Sequence, residues 1–468
     1  MRPLVLALLA LSASFMAPHA DAQVTPAPGA DGPFAEAAAL LIEAALADSL
    51  AYDRMAEMGD RFGHRLSGSQ SLEDAIDWVL AEMEADGLGA VRGQPVLVPA
   101  WIRGNESAVL VTDRGDVPLT MLGLGGSEAT PPEGVEAPVL VVSSFDDLAA
   151  RADEAAGRIV LFNVPFTSYG RTVQYRVNGA SEAAKVGAVA SLVRSVGPGS
   201  LDTPHTGTMG YEDGVRRIPH AALTIEGAER LQRMQDRGET PVVRLSMESR
   251  FEADRLSRNV IAEVRGRERP DEVVVLGGHI DSWDVGQGMV DDAGGCVIAW
   301  EAVRLMHALG LRPRRTVRVV MWTNEENGLR GGEVYRDSVG ADIDKVQLAI
   351  ESDSGVFEPV GFGYSGSAEG LALLRARVDP LISPLLADVD GRGITEGGGG
   401  ADIGPLMRDG VPGMSVRTAN EDYFLYHHTP ADTADKLDPG HMARATAALA
   451  VLAYVAAEMP ERIPHGSE

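Results

Sequence analysis

The chain has 468 residues and a formal net charge of −27, from 68 acidic and 41 basic side chains, with a single cysteine. At roughly 150 residues per domain the length suggests two or three domains. An apolar share of 45% with 23% charged residues excludes bulk disorder, and the acidic excess argues against nucleic acid or an anionic membrane as partner.

The start, MRPLVLALLALSASFMAPHADAQ, joins a positive Arg2 to an apolar core from Leu4 to Phe15 and small residues at Ala20 and Ala22. It reads as a signal peptide over residues 1–22, cut after Ala22, which predicts a secreted or periplasmic protein. A membrane anchor needs about 20 apolar residues, and Pro18, His19 and Asp21 interrupt too soon. With Cys296 as its only cysteine, the chain makes no internal disulfide and must rely on core burial.

Residues 34–90 read as helices. Ser71-Leu-Glu-Asp74 carries a capping signal for one that continues through Trp78, Leu80 and Met83 to a stop at Gly87. From 113 to 249 the texture changes to short apolar runs, such as Val139–Val142 and Ile159–Phe162, between Gly/Pro-rich turns. That predicts a compact α+β module inserted in a larger domain. From about 258 the pattern is strand, loop, helix, repeated. Val273–Leu276, Thr316–Trp322 and Val346–Ile350 are predicted strands, and Met414–Val416 a weaker fourth. A helix over 292–309 closes at Gly310 and Pro313. The run Ala447–Ala457 is too short to span a bilayer and predicts a packed C-terminal helix. The whole reads as an α/β domain with a mixed, largely parallel sheet and helices on both faces, built from 34–112 and 250–462, with 113–249 inserted.

In such sheets ligands sit beyond the carboxyl ends of the strands. The first predicted strand ends in His279-Ile-Asp281, the second in Asn324-Glu325-Glu326-Asn327 and the third in Glu351-Ser-Asp353. Asp291-Asp292-Ala-Gly-Gly precedes the helix, and Tyr426-His427-His428-Thr429-Pro-Ala-Asp432 lies near the C-terminus. Several carboxylates sharing a cleft raise one another's pKa unless a cation joins them. Mixed His and Asp/Glu donors suit zinc, whereas calcium wants oxygen alone. Five ligands are too many for one zinc. With one carboxylate bridging they serve two, each keeping an open position.

These motifs, GGHIDSW, DDAGG, NEENG, ESDSG and YHHTPADT in this order and spacing, resemble the co-catalytic di-zinc aminopeptidase family, closest to its carboxypeptidase Q (plasma glutamate carboxypeptidase) group. The resemblance covers about 255–440 strongly and Arg65-Leu-Ser-Gly-Ser weakly, and the 113–249 module is similar to the protease-associated domain of that family. It implies a three-layer α/β/α zinc-peptidase fold and an exopeptidase, an aminopeptidase or dipeptidase that hydrolyses short peptides by a bridging hydroxide. It implies two Zn2+ per subunit: His279 and Asp353 on one, Glu326 and His428 on the other, Asp291 between them. Glu325 would be the general base, Asp281 the carboxylate that orients His279, and the Asp291–Asp292 bond cis. The group's members are often homodimers, which extends to this chain as an expectation.

Tyr426 and His427 stand where several relatives have a tyrosine that supports the oxyanion. His427 is thus a candidate oxyanion donor, and which of His427 and His428 binds metal stays open, with His428 preferred because it directly precedes Thr429. Asp402, after a glycine run, is either substrate-side or a loop cap, and Tyr426 is a further substrate-side candidate. Trp283 and Tyr423-Phe424 either wall the pocket or pack. Cys296 reads as a buried small hydrophobe before a nucleophile, and His64, His205, His220, His307 and His441 as structural or surface residues. Two rival readings remain: a mono-zinc glutaminyl-cyclase-like enzyme, and a non-enzymatic binding ectodomain.

Overall fold

Amphipathic spacing folds the first described residues into helices α1 (Ala35–Ala47), α2 (Leu50–Phe62) and α3 (Gln70–Ala85). The computed structural model describes residues 32–199 and 201–466, so the predicted signal peptide, residues 1–22, lies outside the described residues. The cap of α3 is Ser69 rather than the Ser71 stretch: its hydroxyl accepts from Leu72 N at 3.2 Å, while Ser71 Oγ donates to the His64 carbonyl at 2.7 Å. Both serines fit the capping preference, and the backbone direction at Ser69 decides between them.

Strand β1 (Gly89–Ile102) opens the central sheet, and the chain then leaves it. A second sheet is built from β2 (Glu106–Val111), β3 (Val117–Leu119), β4 (Met121–Gly123), β5 (Val135–Val142), β6 (Ile159–Phe162), β7 (Ala190–Arg194), β8 (His220–Leu223) and β9 (Val242–Met247). Short helices α4 (Phe145–Ala150) and α5 (Ala152–Ala155) and longer α6 (Tyr169–Lys185) and α7 (Ile225–Asp236) connect its strands. The order is β3-β2-β9-β5-β6-β7-β8-β4, parallel from β5 to β8. The change of texture at 113 therefore falls late, because β2 already pairs with β9, Glu106 opposite Met247. An antiparallel strand with alternating burial does not differ in composition from the end of β1.

The long strand β10 (Arg250–Val264) returns to pair with β1, and β11 (Arg269–His279) follows. A short π-turn at Met289–Ala293 leads into α8 (Gly294–Ala308), then come β12 (Arg315–Trp322), α9 (Arg330–Val339) and β13 (Val346–Glu351). The chain ends with β14 (Pro359–Ser365), α10 (Ala368–Ile382), β15 (Gly393–Glu396), α11 (Gly404–Arg408), β16 (Gly413–Thr418), α12 (Tyr423–Tyr426) and α13 (Pro439–Glu458). The central order is β1-β10-β12-β11-β13-β16-β14-β15, with β12, β11, β13 and β16 mutually parallel.

Helices α1, α2, α3, α8, α10 and α13 share one apolar core on one face of this sheet, while α9 and α11 cover the other. Three layers result, as expected for parallel strands buried on both sides. Helix α13 is apolar enough to cross a membrane by length and composition, but 83% of its most apolar window is buried against the core. Cys296 is wholly buried in α8, and burial pushes its thiol well above the usual range, which fits packing and not nucleophilic attack.

Candidate metal centre

Parallel register brings the predicted residues to one edge. His279 ends β11 opposite Trp322 of β12, so the turn Asn324–Glu326 emerges beside it, and Gly277 pairs with Glu351, which places Asp353 on the other side. The glycines of these motifs permit the approach: a side chain at Gly278 or Gly295 would strike the Asp292 carboxylate. Asp292 in turn accepts from His279 N and Gly295 N, each at 3.2 Å, and the Asp291–Asp292 peptide is cis.

At the centre lies Asp291, buried and shared. One carboxylate oxygen is 3.1 Å from His279 Nε2, and the other is 3.2 Å from His428 Nε2. His279 Nε2 also stands 3.5 Å from Asp353 Oδ1, and His428 Nε2 stands 3.0 Å from Glu326 Oε2. His427 is farther from Asp291, at 3.6 Å, and its ring stacks on His428 with centroids 3.5 Å apart. Ligand-type atoms of His279, Asp291 and Glu326 lie within 4.8 Å of one another, as do those of Asp291, His427 and His428 and those of His279, Asp292 and Asp353.

The electrostatics are those of a cluster that suits cations. Burial, reinforced by the neighbouring carboxylates, pushes Glu325 well above the ordinary range and Glu326 up to about 7. Burial also opposes charge on Asp291, but hydrogen bonds from His279 and His428 hold it well below that range. Asp353 Oδ1 is buried and has no hydrogen-bond partner. An orphaned carboxylate oxygen beside a mixed nitrogen and oxygen donor set fits zinc.

Around this core are groups whose motifs were visible in the sequence but whose roles were not. His279 Nδ1 lies 2.9 Å from the carbonyl of Asp281 and 3.9 Å from its carboxylate, so the backbone of Asp281, not its side chain, orients the ring. The carboxylate instead accepts from Glu325 N at 3.1 Å, Glu326 N at 3.3 Å and Ser67 Oγ at 3.1 Å, and thereby shapes the Glu325–Glu326 turn. Asp432 accepts from the backbone N–H of Met289, Val290 and Asp291 at 2.8, 2.7 and 3.1 Å, and burial raises its pKa to about 7. Arg65, wholly buried, donates to the carbonyls of Ile280, Gly63, Gln287 and Gly288 at 2.7–3.1 Å. Such carbonyl and amide contacts carry no sequence signal of their own.

Beside the centre opens a cleft of about 620 Å³, bordered by Glu325, Asp353, Tyr423, Phe424 and His427 and, from the second sheet's helix α6, by Tyr169 and Arg176. The second sheet also holds His428. Thr206 N donates to its carbonyl at 2.9 Å and the Thr206 carbonyl lies 3.3 Å from its Nδ1. That clamp supports a backbone at φ +61°, a conformation strained for a non-glycine residue.

The substrate-side candidates Asp402 and Tyr426 lie outside the cleft lining, and Trp283 takes the packing alternative. Asp402 is 1% exposed and packs beneath the sheet edge, its carboxyl raised well above normal by burial and by Glu351, so it does not face the cleft. Tyr426 turns away, with Lys436 over its ring, and Trp283 packs edge-on behind His428 instead of walling the cleft. Asp284 makes a two-pronged ion pair with Arg103 at 2.5 and 2.8 Å, near the junction of the two sheets. His205 and His220 are buried and held neutral, down to about 3 and about 4 by burial, as structural histidines should be, while His64 and His307 are exposed.

The profile of peptidase family M28 matches residues 259–453. Over 413 residues the chain is 46% identical to carboxypeptidase Q of Mus musculus, covering 88% of this chain and 87% of that one. It is likewise 46% identical over 418 residues to carboxypeptidase Q of Homo sapiens, covering 89% and 87%. Among solved structures, a peptidase M28 precursor from Shewanella amazonensis SB2B matches with a TM-score of 0.88 at 34% identity, over 92% of this chain and 99% of that one. A zinc aminopeptidase from Bacillus subtilis shares the fold, with a TM-score of 0.66 at 18% identity over 87% and 94%.

Proposed function

Because the chain belongs to peptidase family M28 and is a metallo-exopeptidase, we propose that it is an exported zinc enzyme releasing residues from short, unblocked peptides as an aminopeptidase or dipeptidase. The observation that carries this is the convergence of His279, Glu326, Asp353 and His428 on the shared carboxylate of Asp291, with Glu325 beside them at the cleft. In this reading His279 and Asp353 would hold one zinc, Glu326 and His428 the other, and Asp291 both. Bound zinc would supply Lewis acidity toward the scissile carbonyl and would lower the pKa of a bound water.

The chain's own residues do the rest. Glu325, its backbone N–H fixed by Asp281, accepts the proton of the attacking water and returns it to the departing amine. His427, kept neutral by burial, would present an imidazole N–H toward the oxygen that becomes negative. Residues of the second sheet, in this reading a protease-associated module, close one side of the cleft and exclude water.

A panel of dipeptides, tripeptides and aminoacyl anilides, assayed with and without chelator, tests this reading. The expected result is release of the N-terminal residue, abolished by chelation and restored by zinc. Chelator-insensitive turnover, or no release from any of them, would overturn it. One zinc per chain in place of two would favour the cyclase-like alternative.

A further inference from the structure

The two halves of the metal centre are supported by different parts of the molecule. His279 is held by the central sheet's own loops: its N–H donates to Asp292 at 3.2 Å, and its Nδ1 lies 2.9 Å from the Asp281 carbonyl. His428 and Glu326 lean on the second sheet instead. Thr206, wholly buried, donates its N–H to the His428 carbonyl at 2.9 Å, and its own carbonyl stands 3.3 Å from His428 Nδ1. Glu326 Oε1 accepts from Trp283 N at 3.2 Å. The Trp283 ring lies so close to Gly125, just after β4, that a Cβ there would overlap it.

One side chain ties these supports together. Arg103, in the link between β1 and β2, has a side chain only 10% exposed. Its Nε and Nη2 donate to the two carboxylate oxygens of Asp284, the neighbour of Trp283, at 2.8 and 2.5 Å, and Nη2 also donates to Thr206 Oγ1 at 3.2 Å. Its Nη1 donates to the Gly123 carbonyl, which accepts from Thr206 Oγ1 as well, at 2.9 Å. Nη1 also lies 3.5 Å from Glu106, whose other oxygen accepts from Gly123 N at 3.0 Å. Asp284 follows β11 of the central sheet, whereas Glu106, Gly123 and Thr206 belong to the second. A two-pronged, charge-assisted pair fixes direction as well as distance, so Arg103 locks the Trp283–Asp284 loop and the Thr206 segment into one geometry.

We infer that Arg103 is a positioning residue for one zinc only. Through Thr206 and the Trp283–Asp284 loop it sets the geometry of His428 and Glu326, so that occupancy of their site depends on the second sheet while the His279–Asp353 site does not. The chemistry follows from the imidazole. The Thr206 carbonyl takes the Nδ1 proton of His428 and leaves the Nε2 lone pair facing Asp291 and Glu326. The His428 backbone, at φ +61°, relaxes once that clamp loosens, and the ring then turns away from Glu326. This inference rests on the two-zinc reading and adds that the two metals are unequal.

The test titrates zinc on the full chain against a chromophoric chelator, with elemental analysis for stoichiometry. Arg103→Gln should weaken one of the two zincs about 10- to 100-fold and leave the other unchanged. Arg103→Lys, which keeps the charge but not the fork, should recover part of the loss. Thr206→Val removes only the hydroxyl link and should show the same one-zinc loss at a few-fold, which decides the matter if Arg103→Gln fails to fold. In His428→Ala, which keeps only the His279–Asp353 zinc, adding Arg103→Gln should change nothing further. Equal weakening of both zincs, weakening of neither, or a further loss in that double variant would overturn the positioning role while leaving the two-zinc reading intact. A wild type that holds a single zinc would overturn both.

Discussion

The two walls of the cleft differ in charge and in how their polar groups are satisfied. Along the central sheet, Asp291, Glu325, Glu326 and Asp353 crowd carboxylates at the strand ends, and Asp353 Oδ1 lacks a hydrogen-bond partner. Across from them the second sheet offers Tyr169, Arg176 and the backbone of Thr206, with a guanidinium that lacks a carboxylate. One wall is a cluster of carboxylates, and the other carries a buried guanidinium. In the proposed reading the contrast separates the catalytic groups, carried at the ends of parallel strands, from a second sheet that, away from the Arg103–Thr206 junction, can vary without disturbing them.

The largest expected effect lies on the acidic wall. Glu325→Gln should cut kcat by about 10³-fold or more while two zincs remain bound, measured by steady-state kinetics and elemental analysis. An active variant would remove Glu325 from the mechanism and blur the contrast. Where the walls meet, His428→Ala should lose bound zinc and His427→Ala should keep it, because His428 is nearer both Asp291 and Glu326. The opposite pattern would exchange their roles.

A smaller effect concerns the support of the acidic wall. Asp432→Ala strips the acceptor from three N–H groups and should cost about 3 kcal/mol, with weaker zinc binding, as read by denaturant unfolding and metal titration. Asp432→Asn should recover part of it. Unchanged stability would show that the Met289–Asp291 loop is held by other means.

The smallest belongs to the second sheet and depends on pH. His220 is wholly buried, and burial lowers its pKa from 6.5 to about 4. Its unfolded imidazole takes a proton that the folded one refuses, so its contribution is present above pH 6.5 and is lost as pH falls toward 4. From pH 7 to pH 5 this amounts to about 2 kcal/mol. His220→Asn should flatten that slope in urea titrations followed by circular dichroism. An unaltered slope would assign the acid sensitivity elsewhere.

Legibility followed locality. The strands β11, β12 and β13 and the residues just beyond them were readable because a buried parallel strand is a continuous apolar run and its end is marked by polar residues. The second sheet was readable only as a change of texture, and its first strand, Glu106–Val111, was placed in the wrong unit because its pairing with Val242–Met247 spans the whole module. The functions of Asp432, Arg65 and the Asp281 carboxylate were not readable, since each acts on backbone groups that any residue supplies. Asp402 and Tyr426 sat in conspicuous motifs, yet burial and orientation remove both from the cleft.

By itself the sequence determined the family, the α/β class and which polar side chains gather at one sheet edge, because those depend on apolar periodicity and on chemistry carried within a few residues of a strand end. Tertiary structure alone decided which of two adjacent histidines meets Glu326, that Thr206 clamps it from another sheet, and that Arg176 comes to lie behind it. These are contacts between residues more than a hundred positions apart in the chain. Only packing, through burial and the need to satisfy each buried polar group, chooses among the neighbours such residues could have had.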